Sequence, residues 1–519
     1  MTRQKAFCSM VMALSAAVFF GDIKAQSGTG RKYYFSPKGN DHNDGSIGRP
    51  FKTLSPLEKI RLFPGDQVLL EGNAIFHGSI KVDSSSSGDQ KRPVIIASFG
   101  KGLPVIESGH STGLLLFRTA FISIKNLAFS GAGRKNGNTT NGFCIDSSHN
   151  ITVQNVSVTG YQKTGLFVYC GNQIRLVSII ARGNGAAGIA VEGPYGLKDS
   201  NHDIYIGFSR SEDNPGDPTN LTNHSGNGIV VADCKRVLIE YCTATNNGWD
   251  MPRIGNGPVG IWAYEADSII IQHCLSYNNK TSHGGADGGG FDLDGGVTNS
   301  VVQYCYSFGN QGAGYSIFQY LYASPWHDNV FRFNIGEDDG TVSDAKAGVH
   351  IWNSSRDSNE FYNCAFYNNT IFSSKVSAIS FSELSLHKGF LFSNNIFVGK
   401  DSLIKGNRGS DIFLGNDWWC LNGVFNIESF KNFSHWARTS GQEMISGKIV
   451  GMNIDPAFNN HEHRIYSAIK LPQFQTYRLN TNSKLRQGGI NLKSTFKLNT
   501  GKHDFLSGRL RQGVGACLN

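Results

Sequence analysis

The chain has 519 residues, a formal charge of +8, 17% charged residues and 62 glycines. Apolar residues recur along its whole length, which excludes a disordered chain. The Lys and Arg residues are scattered without a basic run, which argues against a nucleic-acid partner.

The chain opens with a segment that reads as a signal peptide. Arg3 and Lys5 precede a short apolar run from Ala6 to Phe20, and Ile23-Lys24-Ala25 is a plausible cleavage site. The expectation is residues 1–25 as a cleaved leader and a secreted or periplasmic product. Removing them takes away three positive charges and one negative, leaving +6, with nine of the ten cysteines. No later segment is apolar enough to span a membrane.

Next comes Ser55-Pro56-Leu57-Glu58-Lys59-Ile60, which predicts a short amphipathic helix plugging the N-terminal end of the fold. Ser55 is the N-cap candidate and Pro56 suits the first helical position.

From Gly142 a pattern repeats, a Gly followed by alternating apolar residues. It recurs at Gly165, Gly188, Gly228, Gly260, Gly290, Gly314 and Gly348, at spacings of 23, 23, 40, 32, 30, 24 and 34. The shortest spacing is one coil of a stacked-strand solenoid and the longer ones are coils with inserted loops. The expected fold is all-β, a single-stranded right-handed parallel β-helix over residues 26–400. Residues 401–519, where the repeat fades, form an irregular C-terminal extension that covers the last coil.

Each coil carries a second strand ending near an Asn-rich turn, at Asn246-Asn247, Asn278-Asn279, Asn310 and Asn368-Asn369. Stacked Asn side chains at one turn can bond to one another, because coils lie about 4.8 Å apart. Cys242, Cys274, Cys305 and Cys364 follow their coil glycines by 14, 14, 15 and 16 residues. They are expected in one inward column as buried thiols rather than disulfides.

These residues resemble the pectin lyase-like superfamily of secreted bacterial right-handed parallel β-helices. Tyr33 to Asp41 with Pro50 to Leu54 is similar to an opening segment of such proteins. Asp455 to Phe458, Tyr477 to Leu479 and Gly513 to Ala516 are similar to a closing one. The resemblance covers residues 32–400 and implies architecture, since the superfamily holds lyases, hydrolases, esterases and non-enzymatic adhesins.

The second and fourth residues after each Gly should face outward. They include Tyr169, Trp262, Tyr264, Phe318, His350 and Trp352, an aromatic row in place of ordinary polar surface. Inserted loops at 198–227, 249–259, 280–289 and 320–347 would wall it along one edge. Sugars suit such a row, because their C–H faces stack on aromatic rings. Trp249, His283 and Asp233 are further candidate substrate contacts.

The sharpest feature runs from His283 to Gly296 and holds Asp287, Asp292 and Asp294. Asp292 and Asp294 should point the same way, about 6–7 Å apart. Glycoside hydrolysis needs one protonated carboxyl and one carboxylate at about such a separation. Asp292 and Asp294 are therefore the acid/base and nucleophile candidates, with Asp287 and Glu265 able to tune or replace one of them.

A polysaccharide lyase is the runner-up, with a base from Lys280, Arg253, Lys346 or His283. Ala286-Asp287-Gly288 is similar to part of the acidic signature of a Ca²⁺-dependent pectate lyase family. The next coil departs from that signature, with Gln311-Gly312-Ala313-Gly314-Tyr315 in place of further acids. A non-catalytic glycan-binding protein is the third reading. The expectations are a carbohydrate partner, no membrane or nucleic-acid partner, a monomer, and no cofactor, with calcium only for a lyase.

Overall fold

The computed structural model describes residues 30–343, 346–382, 386–458 and 463–518. The expected signal peptide lies outside them. Two compact units are present. One comprises the described residues up to Leu238 with Ala244–Pro258, and the other Ile239–Thr243 with those from Val259 onward.

The first unit is a pile of parallel strands. Leu114–Phe117, Phe143–Asp146, Leu166–Tyr169 and Ala187–Glu192 pair in register, each one coil from the next. Beside them run the long strands Ala120–Gly131, His149–Thr159 and Asn172–Arg182. Each holds two left-handed residues, Phe121 and Asn126, Asn150 and Asn155, or Gln173 and Ser178, with φ between 53° and 57°. Asn tolerates that conformation better than most residues. The Asn155 amide donates to the Asn126 carbonyl oxygen at 2.8 Å, tying the corners together. Leu166 and Val168 are fully buried while Phe167 and Tyr169 are half-buried, the alternation a one-sided strand requires.

Residues Ser55–Lys59 form a single 3-10 turn with Leu57 buried. Pro56 sits at its start as expected. Ser55 is not the cap, however. Leu54 holds that position and no side chain caps the helix.

The second unit repeats the plan. Val259–Gln272, Gly289–Leu293, Tyr315–Gln319, Ala347–Asn353 and Ser377–Phe381 stack in parallel. The stack does not stop at residue 400. Ile396–Gly399 pairs with Asp417–Cys420, so strand pairing persists where the glycine pattern has faded.

Two polar ladders run up the second unit, at different turns. Asn279 donates to Asn310 and Asn310 to Asp339, after the third strands of their coils, Leu275–Tyr277, Tyr306–Phe308 and Ile335–Glu337. Asn334, Asn369, Asn395 and Asn416 pass the same bond along and end on Glu443, before the third strand. Asn368-Asn369 thus belong to a different turn from Asn278-Asn279. The Cys305 backbone N–H donates to Asn334 Oδ1, so Cys305 heads the second ladder. Cys364 lies on another strand, as register partner of Asn329, and is not in the cysteine column. All nine cysteines among the described residues are free thiols. The Sγ of Cys242, Cys274 and Cys305 each donates to a backbone carbonyl two residues earlier.

The C-terminal tail lies along the flank of the stack rather than over its last coil. Phe458, Leu471, Phe474, Tyr477 and Phe505 pack on Leu275, Tyr306, Phe308, Ile335 and Ile396, which come from successive coils. Those third strands are buried on both faces for this reason. The end of the stack is closed by the helix Phe433–Ser440, capped by Asn432, whose Trp436 meets Trp418 edge to face at 5.8 Å.

Candidate active site

The site is set by one strand. In Gly289–Leu293, Phe291 and Leu293 are fully buried in the core, and the Phe291 ring stacks on Tyr315 of the next coil. Asp292 therefore leaves the opposite face. Parallel register makes it one rung of a row, Trp262, Asp292, Ser316, His350, Ser380 and Lys405. A neighbouring row holds Phe318 and Trp352 as register partners. Their rings meet at 5.8 Å, and Phe318 also meets His350 edge to face at 5.1 Å.

This row is not the open aromatic surface that alternation suggests. Trp262 is 3% exposed, Asp292 1%, Phe318 6% and His350 7%. Tyr264, Asp294 and Trp352 are half-buried, so solvent reaches the rows at that end.

Burial decides the acid–base character. Asp292 Oδ1 is buried and accepts no hydrogen bond. Its carboxyl is pushed well above the usual range, by burial first and then by the charges of Asp294 and Asp287. Asp294 is raised to about 7, chiefly by burial, against a bond from the Gly295 N–H, with Asp287 and Glu265 adding repulsion. A crowded, dry pair of this kind keeps a proton near neutral pH. Asp287 lies half-buried in the loop before the strand, in left-handed backbone with φ of 57°. His283, in the same loop, is exposed.

Glu265, expected to tune or replace an acid of the pair, is one of the charges that raise Asp294. It is fully buried, and its Oε1 accepts the Ser324 N–H at 2.7 Å. Its carboxylate holds the surrounding chain instead of facing solvent.

Tyr169, Asp233 and Trp249 belong to the first unit. Asp233, expected to meet substrate, is 2% exposed and accepts the backbone N–H groups of Gly193 and Gly196, at 3.3 and 2.6 Å. Tyr169 pairs in register with Glu192, and the Phe167 ring stacks beside it at 6.2 Å. Trp249 is 48% exposed, with the Arg134 guanidinium 5.9 Å from its ring.

The sequence reading passed over three residues. Ser380 and Lys405 extend the Asp292 row, but their coils carry Ala378 and Leu403 where the pattern has Gly. Glu192 is raised to about 7 by burial and by Asp233, although its isolated position drew no notice. Among the described residues no group of three or more His, Cys, Asp or Glu is arranged to hold a metal ion. No helix among them is long and apolar enough to cross a membrane.

Stacked parallel coils and polar ladders at the turns define a parallel β-helix protein. The chain belongs to the Pel9A-like family, whose right-handed β-helix region matches residues 33–319. It is 30% identical over 200 residues to a lacto-N-biosidase of Bifidobacterium longum, a match covering 36% of this chain. The matched part is only 11% of that relative's length. Two solved structures are similar to this chain. One is the GH136 lacto-N-biosidase of Eubacterium ramulus, at 19% identity and TM-score 0.48, covering 73% of this chain and 68% of that one. The other is a mannuronic-acid-specific family 6 polysaccharide lyase from human gut microbiota. It shows 14% identity and TM-score 0.50, covering 78% of this chain and 89% of that one.

Proposed function

We propose that this chain is a secreted carbohydrate-active enzyme that cleaves glycosidic bonds by hydrolysis. The observation that carries the reading is the pair Asp292 and Asp294, both held above the carboxylate range by burial and by neighbouring acids. Asp292, the drier of the two and without a donor on Oδ1, keeps its proton and gives it to the leaving oxygen. Asp294, half-buried and titrating at about 7, is the base or nucleophile. Trp262, Tyr264, Phe318 and Trp352 supply apolar faces for sugar rings along the same sheet face. The similarity to a lacto-N-biosidase supports hydrolysis over elimination.

A panel of plant, algal and host-derived glycans tests the reading, followed by reducing-sugar release and ultraviolet absorbance together. Reducing ends without new absorbance are expected. Unsaturated products would establish a lyase instead, and binding without cleavage a glycan-binding protein. Chelation is expected to leave the rate unchanged.

A further inference from the structure

We propose that Glu265 is a positioning residue that clamps the Asp294–Gly296 turn to the loop 320–325 and acts on the reaction through Asp294. This rests on the assignment of Asp294 as a working carboxylate.

The clamp is built from both sides of the turn. Glu265 takes a left-handed backbone with φ of 42°, a costly conformation for a residue with a Cβ. Its N–H donates to the Gly295 carbonyl at 2.8 Å, while Oε1 accepts from Ser324 N. Gly296 leaves room for that carboxylate, since a Cβ there would lie 2.5 Å from Oε2. Fully buried Gln319 closes the frame. Its Oε1 accepts the Gly296 N–H at 3.2 Å and its Nε2 donates to the Ser324 carbonyl at 3.1 Å. Tyr320 packs on Gly295, where a Cβ would come 2.4 Å from the ring. Within this frame Asp294 Oδ1 accepts the Gly295 N–H at 2.7 Å.

The charge on Glu265 is more than the clamp needs. A neutral glutamine would accept the Ser324 N–H equally well, and a buried carboxylate with one donor is costly. Oε2 has no partner at all. Asp287 and Glu265 are the acids whose charges raise Asp294, and Glu265 is bonded to the loop 320–325. That loop presents Leu321 and Tyr322 at its tip, 49% and 86% exposed, with Tyr322 itself left-handed at φ 72°. The Ser324 bond links this tip to the Glu265 carboxylate.

The test reads Asp294 directly, by carbon NMR titration of the protein labelled at aspartate carboxyls, with Asp294→Asn identifying the signal. Glu265→Gln should lower the Asp294 midpoint by about half a unit to one unit, because a repelling charge is gone. Ser324 should keep its amide protection from exchange. Glu265→Asp keeps the charge but is too short to hold Ser324. Its midpoint should stay high while Ser324 loses protection at least tenfold. An unmoved midpoint in folded Glu265→Gln overturns the electrostatic role, and undiminished Ser324 protection in Glu265→Asp overturns the clamp. If Glu265→Gln does not fold, Glu265→Asp alone decides. A chain that cleaves no glycan defeats the hydrolase reading and leaves these titrations unaffected.

Discussion

Trp262 and Asp292 are register partners on adjacent parallel strands, so an indole and a carboxyl leave the sheet side by side. Both are almost wholly buried. A sugar stacked over that part of the face would bring its glycosidic oxygen to the acid. Replacing Asp292 or Asp294 by Asn should lower kcat by about 10²–10⁴-fold, the range for a lost proton-transfer group. Trp262→Ala should act mainly on KM. Steady-state kinetics on the glycan found by the panel would check both, and an active Asp292→Asn enzyme would remove the assignment.

The pH profile follows from the same burial. A base must be ionised, so turnover should rise as pH climbs through about 7, where Asp294 titrates. An acid must stay protonated, so the rate should fall again at higher pH, where Asp292 ionises. The expected profile is a bell with its acidic limb near neutrality. Asp294→Asn should also cancel one stability change. The folded pKa of Asp294 lies above its ordinary value of 3.8. Its stabilising contribution is therefore full below about pH 4 and lost as pH rises through about 7.

Asp339 ends an Asn ladder with an acid where an amide would serve. Its Oδ1 accepts from both the Asn310 backbone and side-chain N–H, and its Oδ2 has no partner. Burial raises it to about 8. The stability this group contributes is present below about pH 4 and lost through about pH 8. Asp339→Asn should match the wild type in Tm at about pH 4 and exceed it at pH 9, by roughly 5 °C. Thermal melts at the two pH values would show it.

The second ladder should be sensitive at any rung. Asn369 is fully buried, donates to Asn395 and accepts from Asn334. Asn369→Ala strands a donor and an acceptor on its neighbours and should cost about 2–4 kcal/mol. Denaturant unfolding would measure this, and a change under 1 kcal/mol would mean the ladder is ornamental.

The tail should be part of the fold. Phe474 is fully buried against Tyr306, with ring centroids 4.5 Å apart. Phe474→Ala should cost about 3–5 kcal/mol. Its effect should appear as increased hydrogen exchange in the strands Tyr306–Phe308 and Ile335–Glu337, which it covers.

Period-two alternation after recurrent glycines determined the parallel coils, because only a strand stacked on its own repeat buries every second residue at such spacing. The same alternation placed Asp292 on the face opposite Phe291, and Gly-rich flanks marked its strand. Local pattern could not say how dry that face is. Loops distant in sequence cover it, and their burial separates Asp292, left without a donor, from Glu265, spent on Ser324, and Asp233, spent on Gly193 and Gly196. The strands Tyr306–Phe308 and Ile335–Glu337 likewise have no open face, because a tail more than a hundred residues away closes over Tyr306 and Ile335. The alternation is a local property of the chain. The pKa of a carboxyl depends on everything packed around it, and only the tertiary structure supplies that.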